Sequence, residues 1–271
     1  MADITAKLVN DLRAKTGQGM MECKKALVES GGDMEKAIAY FRAKGVKASL
    51  TERAAGEGRV IGVQSPDKKS AAVVEVNCNT DFTAKSEPIQ KVGGLAAAAL
   101  LKNPAANVSE DAAVKADLTI VAQTTGENVV IGKTGVLNNP AGTVGLYLYG
   151  ITGKIGVIMS FNGGVPSDEL IKQIGGHIAF ARPLGLNREA VPAELVAKER
   201  AIAVQEAQAT GKPQAIAEKI AEGKLNSFFA ERVLLDQEFF NAQAYKGSVG
   251  NMLKARGVTL EKYVRIEVGQ A

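Results

Sequence analysis

An internal repeat constrains this chain more than any other feature of its sequence. Advancing by 82 positions superimposes Ile89-Gln90-Lys91-Val92-Gly93-Gly94 on Ile171-Lys172-Gln173-Ile174-Gly175-Gly176, and the same shift lays Val74 to Val76 on Gly156 to Ile158. In each copy an apolar β-branched run, which suits a buried strand, leads into a helix containing a glycine pair. A glycine costs a helix about 1 kcal/mol relative to alanine, so its paired use in both copies implies a helix whose backbone lies close against its sheet. At the same shift Asn162-Gly163-Gly164 falls opposite Thr80-Asp81-Phe82. The second copy turns on glycines where the first carries an aromatic, so Phe82 serves something other than the connection itself. A connection can present such a side chain outward to a partner.

Around the repeat the chain divides in order. Residues 1 to 50 read as a three-helix module: Ile4, Leu8 and Leu12 recur at four-residue spacing, Gly17 and Gly19 interrupt, a second helix spans about Met20 to Val28, and Asp33 caps a third in which Ala37, Ile38 and Phe41 face inward. Met20 and Met21 stand beside Lys24, and adjacent helical positions point about 100° apart, so at least one methionine is exposed. Residues 51 to 58 lack periodicity and read as a linker. Residues 59 to 138 form the first core repeat, with Ser65-Pro66-Asp67-Lys68 as the turn of a hairpin. Residues 139 to 271 form the second, in which Ala193 to Gln208 and Gln214 to Ala230 are helices joined by Thr210-Gly211-Lys212-Pro213. So short a turn makes an antiparallel helical-hairpin arm over 193 to 230, with Leu195, Ile202, Ile216 and Ile220 as its expected seam. Phe228, Phe229, Phe239 and Phe240 are expected to anchor its base, and Tyr263 to Val268 to form the final strand. The fold class is α+β: a helical module, then a duplicated antiparallel sheet and helix core carrying the arm.

Composition narrows the function. Thirty-three basic against 29 acidic residues leave a net charge of +4 with both signs interspersed, unlike the concentrated basic face of a nucleic-acid binder. No apolar run approaches the ~20 residues of a membrane span. Two distant cysteines, Cys23 and Cys78, and the absence of a signal-peptide pattern imply a reduced, cytoplasmic setting. One histidine, His177, and no Cys-x-x-Cys pair leave no ligand set for a structural metal, and His177 on its glycine-pair helix reads as a packed side chain. Gly126 to Thr134 mimics a phosphate-binding loop, but five residues separate its glycines where that loop has four. Val129, Val130 and Ile131 read instead as a strand. No nucleophile with a base emerges, so the chain reads as neither an enzyme nor the holder of a cofactor.

Asn77-Cys78-Asn79-Thr80-Asp81-Phe82-Thr83-Ala84-Lys85 resembles a signature of the bacterial elongation factor Ts family, nucleotide-exchange factors for elongation factor Tu. Thr16 to Leu27 resembles a second signature, and similarity runs from Ile4 to the closing Arg265-Ile266-Glu267-Val268-Gly269. The resemblance implies a ubiquitin-associated-like N-terminal module whose Met20, Met21 and Lys24 rest on elongation factor Tu. It implies that Thr80, Asp81, Phe82 and Thr83 dislodge Mg2+ from that partner, bound with GDP or free of nucleotide. It adds a weaker contact in the second repeat at Tyr149, where the family often carries histidine, and allows a pair of copies in a two-plus-two complex. In some relatives a further helical segment follows the final strand and touches the partner; here the sequence stops at Ala271. A protein-binding adaptor built on the N-terminal module is the other reading, and the Phe82 segment separates the two, since an adaptor has no use for it.

Overall fold

The computed structural model describes residues 4–16, 19–44 and 55–270. Three helices come first, α1 (Ala6–Thr16), α2 (Met20–Glu29) and α3 (Met34–Lys44). Val9, Leu12, Cys23, Ala26, Leu27, Ala37 and Phe41 close a core of their own between them. Helix α2 ends because Gly31 adopts φ +63, letting the Gly32 N–H reach the Leu27 carbonyl and the Gly31 N–H that of Val28. Asp33 starts α3 as expected: its Oδ1 accepts from the Glu35 and Lys36 N–H groups at 2.9 and 3.0 Å. Gly45, which the sequence offers as a stop for α3, and residues 51–54 of the expected linker lie outside the described residues. Residues 57 and 58 of that linker already belong to a strand.

The core is two antiparallel three-stranded sheets. Strands β1 (Glu57–Gln64), β2 (Ser70–Cys78) and β3 (Val130–Asn138) form one in that order, and β4 (Thr143–Leu148), β5 (Ile155–Gly163) and β6 (Val258–Glu267) the other. Each repeat thus runs hairpin, helix, and a third strand returning to the free side of the second. The decoy glycine segment contributes β3, as its β-branched run requires, and the final strand is longer than expected at its N-terminal end. The sheets pack face to face on Val60, Ala71, Val73, Leu137, Val144, Ile158 and Ile266. Each such fully buried Val, Leu or Ile contributes about 1.5–3 kcal/mol. Main-chain bonds from Val60 N–H to the Gly153 carbonyl (2.8 Å) and from Val144 N–H to the Lys68 carbonyl (2.7 Å) stitch the sheets at their margins.

On the outer face of the first sheet lie α4 (Asp81–Lys85), α5 (Glu87–Lys102) and α6 (Ala112–Thr125); outside the second lie α7 (Asp168–Ala181) and α10 (Val249–Ala255). The intervening α8 (Ala193–Ala209) and α9 (Gln214–Arg232) pack mainly on each other. Gly211, at φ +78, makes their turn. Their expected seam holds only in part: Leu195 and Ile220 are half-buried, but Ile202 and Ile216 are 40% and 48% exposed, and the fully buried positions are Ala203, Ala207, Ala217 and Ala221. Alanines let two antiparallel helices approach until their backbones nearly meet, and branched side chains at those positions would hold them apart. At the base Phe239 is buried, Phe228 and Phe229 partly so, and Phe240 is 62% exposed rather than an anchor.

The repeat register needs one correction. Gly93 on α5 lies against Ile61 of β1, whose neighbour on β2 is Val74; Gly175 on α7 lies against Tyr147 of β4, whose neighbour on β5 is Val157. The glycines correspond at 82 positions but the strands at 83, because side chains alternate faces and Gly156 points to the other side from Val74. The first copy therefore holds one more residue between strand and helix, within the stretch that carries α4. With the strand register, Phe82 stands opposite Val165, which is 82% exposed.

Candidate functional site

The stretch from Asn79 to Lys85 is a capped turn of helix rather than an open loop. Thr80, extended at φ −127, is the N-cap, and its Oγ1 accepts from the Thr83 N–H at 3.3 Å. Thr83 and Ala84 are buried against the sheet, and the Lys85 ammonium meets the Asp81 carboxylate at 2.7 Å across one turn. That hydrogen bond, helped by the lysine's charge and local backbone N–H groups, prevails over desolvation and holds the Asp81 carboxyl below the usual aspartate range. Phe82 is left 84% exposed. A protein seldom presents a whole aromatic ring to water on a clamped element without a partner for it.

Beneath the turn lies Glu127, from the connection between α6 and β3. Its Oε2 accepts from the Asn79 and Thr80 N–H groups, both at 3.0 Å, and its Oε1 from the hydroxyls of Thr80 (2.6 Å) and Thr83 (2.8 Å). Burial raises its pKa, but these hydrogen bonds prevail and the net shift is downward. Burial, reinforced by the Glu127 charge, pushes the neighbouring Cys78 thiol up to about 11, so it stays protonated and donates to the Thr80 carbonyl. The sequence contains no local signal for Glu127, which partners residues 44 to 48 positions away.

Of the N-terminal candidates, Met20 and Met21 are 51% and 77% exposed at the start of α2, and Lys24 is exposed one turn on. Val28, exposed on the same helix, extends the stripe and was not expected. The buried side of α2 is Cys23, Ala26 and Leu27, which fixes the methionines outward. Tyr149 follows β4 and packs edge-on against Phe180 at 5.0 Å. Phe180 and Phe240 border a cavity of about 460 Å3 also lined by Tyr147, Lys172 and His177. His177 is buried: Gln237 donates through Nε2 to the Glu231 carbonyl, so its Oε1 accepts from the His177 Nε2–H at 3.0 Å, and His177 Nδ1 accepts from the Phe240 N–H at 3.4 Å. Burial lowers its pKa, against a smaller opposing effect of Gln237. It is the packed histidine the sequence implied. The three candidate groups lie on separate elements, α2, α4 and the β4–β5 turn, rather than converging on one cleft. Among the described residues no three His, Cys, Asp or Glu side chains gather as a metal site would need.

Comparison with known proteins identifies the family. The family profile described as Elongation factor TS matches residues 79–270. The chain belongs to the elongation factor Ts family. It is 40% identical to Elongation factor Ts of Methylococcus capsulatus over 98% of this chain and 92% of that protein. To Elongation factor Ts of Azoarcus sp. strain BH72 and of Sodalis glossinidius it is 41% and 38% identical, over its full length and 92% and 93% of theirs. Membership makes the chain a translation elongation factor, and the elongation factor Ts profile begins at Asn79, the residue that enters the Phe82 turn. No helix among the described residues is long and apolar enough to cross a membrane.

Proposed function

We infer that this protein is a guanine-nucleotide exchange factor, not a catalytic enzyme, which binds elongation factor Tu with GDP and speeds GDP release. The observation that carries the reading is Phe82, a fully presented aromatic on a turn tied down at its base. GTPases hold GDP through backbone amides, a lysine and a Mg2+ ion bridging phosphate and protein oxygens. A ring driven between the elements that organise that metal displaces them by shape, and loss of the metal removes a large favourable electrostatic contribution to diphosphate binding. Asp81 is held by Lys85, so it arrives as part of an ion pair, and the ring is the side chain available for insertion. Met20, Met21 and Lys24 supply affinity on the nucleotide-binding side of the partner, and Tyr149 with Phe180 a second contact elsewhere. Exchange obeys linkage: a factor that weakens GDP binding is itself bound more weakly by the GDP form, by the same ratio.

Release of a fluorescent GDP analogue from elongation factor Tu tests this, with the wild-type chain and Phe82→Ala in parallel. The expected outcome is strong acceleration by the wild type and a maximal rate at least about tenfold lower for the variant, the loss that follows when a positioned group is removed. Equal acceleration by both would move the mechanism away from Phe82. Absence of acceleration by either, with binding intact, would favour the adaptor.

A further inference from the structure

The Phe82 turn does not hold itself. A helix of five residues is far below the length at which helical hydrogen bonding becomes cooperative, and a ring 84% exposed gains almost no packing from its own molecule. The direction in which Phe82 points therefore depends on what grips the backbone before it. The largest part of that grip is one carboxylate, beside the Cys78 thiol that donates to the Thr80 carbonyl. Glu127 accepts all four of its hydrogen bonds from Asn79, Thr80 and Thr83, and charge-assisted bonds of this kind are about twice as strong as neutral ones.

The clamp is reciprocal and anchored. Asn79 Oδ1 accepts from the Asn128 N–H at 2.8 Å, so each segment binds the other's backbone. Glu127 follows Gly126, which ends α6 at φ +70, and its own N–H donates to Thr125 Oγ1 at 3.2 Å. The second copy solves the same junction differently, through glycines at 163 and 164 and a Ser167 hydroxyl that accepts from the Leu170 N–H at 3.1 Å. A carboxylate clamp is thus an elaboration on the copy that presents the aromatic.

We propose that Glu127 is the positioning residue of the exchange element, fixing the first turn of α4 so that Phe82 meets elongation factor Tu at a set angle and without yielding. This rests on the exchange reading above. The wedge must push against elements that hold a metal, and a probe on a loose base spends binding energy on its own ordering instead. Burial of Thr83 and Ala84 and the Thr80 cap keep the repeat folded without Glu127, so its loss loosens the tip and leaves the rest in place.

The test measures GDP-analogue release against factor concentration for the wild type, Phe82→Ala, Glu127→Gln and the double variant, all as full chains. Glutamine keeps the size but cannot accept at both ends. Glu127→Gln is expected to lower the maximal rate about tenfold with little change in the half-saturating concentration, and to add nothing to Phe82→Ala. The chain contains no tryptophan, so Phe82→Trp gives a single reporter whose fluorescence anisotropy should fall when Glu127→Gln is added. Should Glu127→Gln fold poorly, Thr83→Val, which removes one of the four bonds, should show a smaller loss in maximal rate. An undiminished maximal rate in a folded Glu127→Gln, or a further loss in the double variant, overturns the proposal while the exchange reading stands. Full activity of Phe82→Ala overturns the proposal as well, while exchange itself stands; failure of the wild type to accelerate release overturns the exchange reading.

Discussion

His177 shows how far a single residue can be read without its surroundings. As the only histidine, on a helix with a buried face, it reads as packed, and it is, against the Phe239 ring at 5.9 Å. Its partners, Gln237 and the Phe240 N–H, come from a segment some 60 positions later and left no trace in the helix pattern. Its folded pKa lies below its unfolded value, so the unfolded chain binds a proton more tightly. The stabilisation is complete above the unfolded imidazole value and declines as pH falls from there toward the folded value. Denaturant unfolding at pH 7.5 and 5.5 should therefore show the wild type losing stability at the lower pH, beyond what His177→Gln loses. Equal losses would place the proton-linked cost in other groups. Phe82 drew attention through a glycine turn opposite it at the helix register, but at the strand register its counterpart is the exposed Val165, so what marked it correctly was its place on a polar connection after a strand. Glu127 was hidden in a segment whose glycines attracted attention for the wrong chemistry.

Among the elements, the two glycine-pair helices were legible as sheet-packed, but the sequence treats the members of each pair alike and the fold does not. A methyl on Gly93 would come within 2.5 Å of the Ile61 side chain, and one on Gly175 within 2.3 Å of Tyr147 Cβ. A methyl on Gly94 would meet nothing within 4 Å. Gly93→Ala should therefore destabilise the protein by about 1–3 kcal/mol through overpacking, while Gly94→Ala should stabilise it by up to about 1 kcal/mol through helix propensity. Thermal or denaturant unfolding of the two variants decides this; the same sign for both would mean that α5 sits differently on its sheet. The arm follows a similar logic. Its helices and turn were visible from breakers and caps, but the seam fell on alanines because interhelical distance is a tertiary quantity and large apolar residues are not always the ones buried.

At the scale of the molecule, the N-terminal module closes its own core, and the exposed Met20, Met21, Lys24 and Val28 lie on one side of one helix. If that face contributes affinity and Phe82 the exchange step, removing residues 1 to 50 should raise the half-saturating concentration for GDP release by about tenfold or more, corresponding to about 1.4 kcal/mol, with the maximal rate largely kept. An unchanged concentration dependence would take the module out of the interface. The sequence by itself determined the α+β class, the duplication, the hairpins, the helical arm and the exposed aromatic, because each follows from short-range periodicity and turn chemistry. Only the tertiary structure decided that the two sheets share one apolar interface, that the strand register runs one residue beyond the helix register, and that a carboxylate from the α6–β3 connection grips the Phe82 turn. Those depend on which side chains meet across dozens of positions, and distance along the chain carries no record of such meetings.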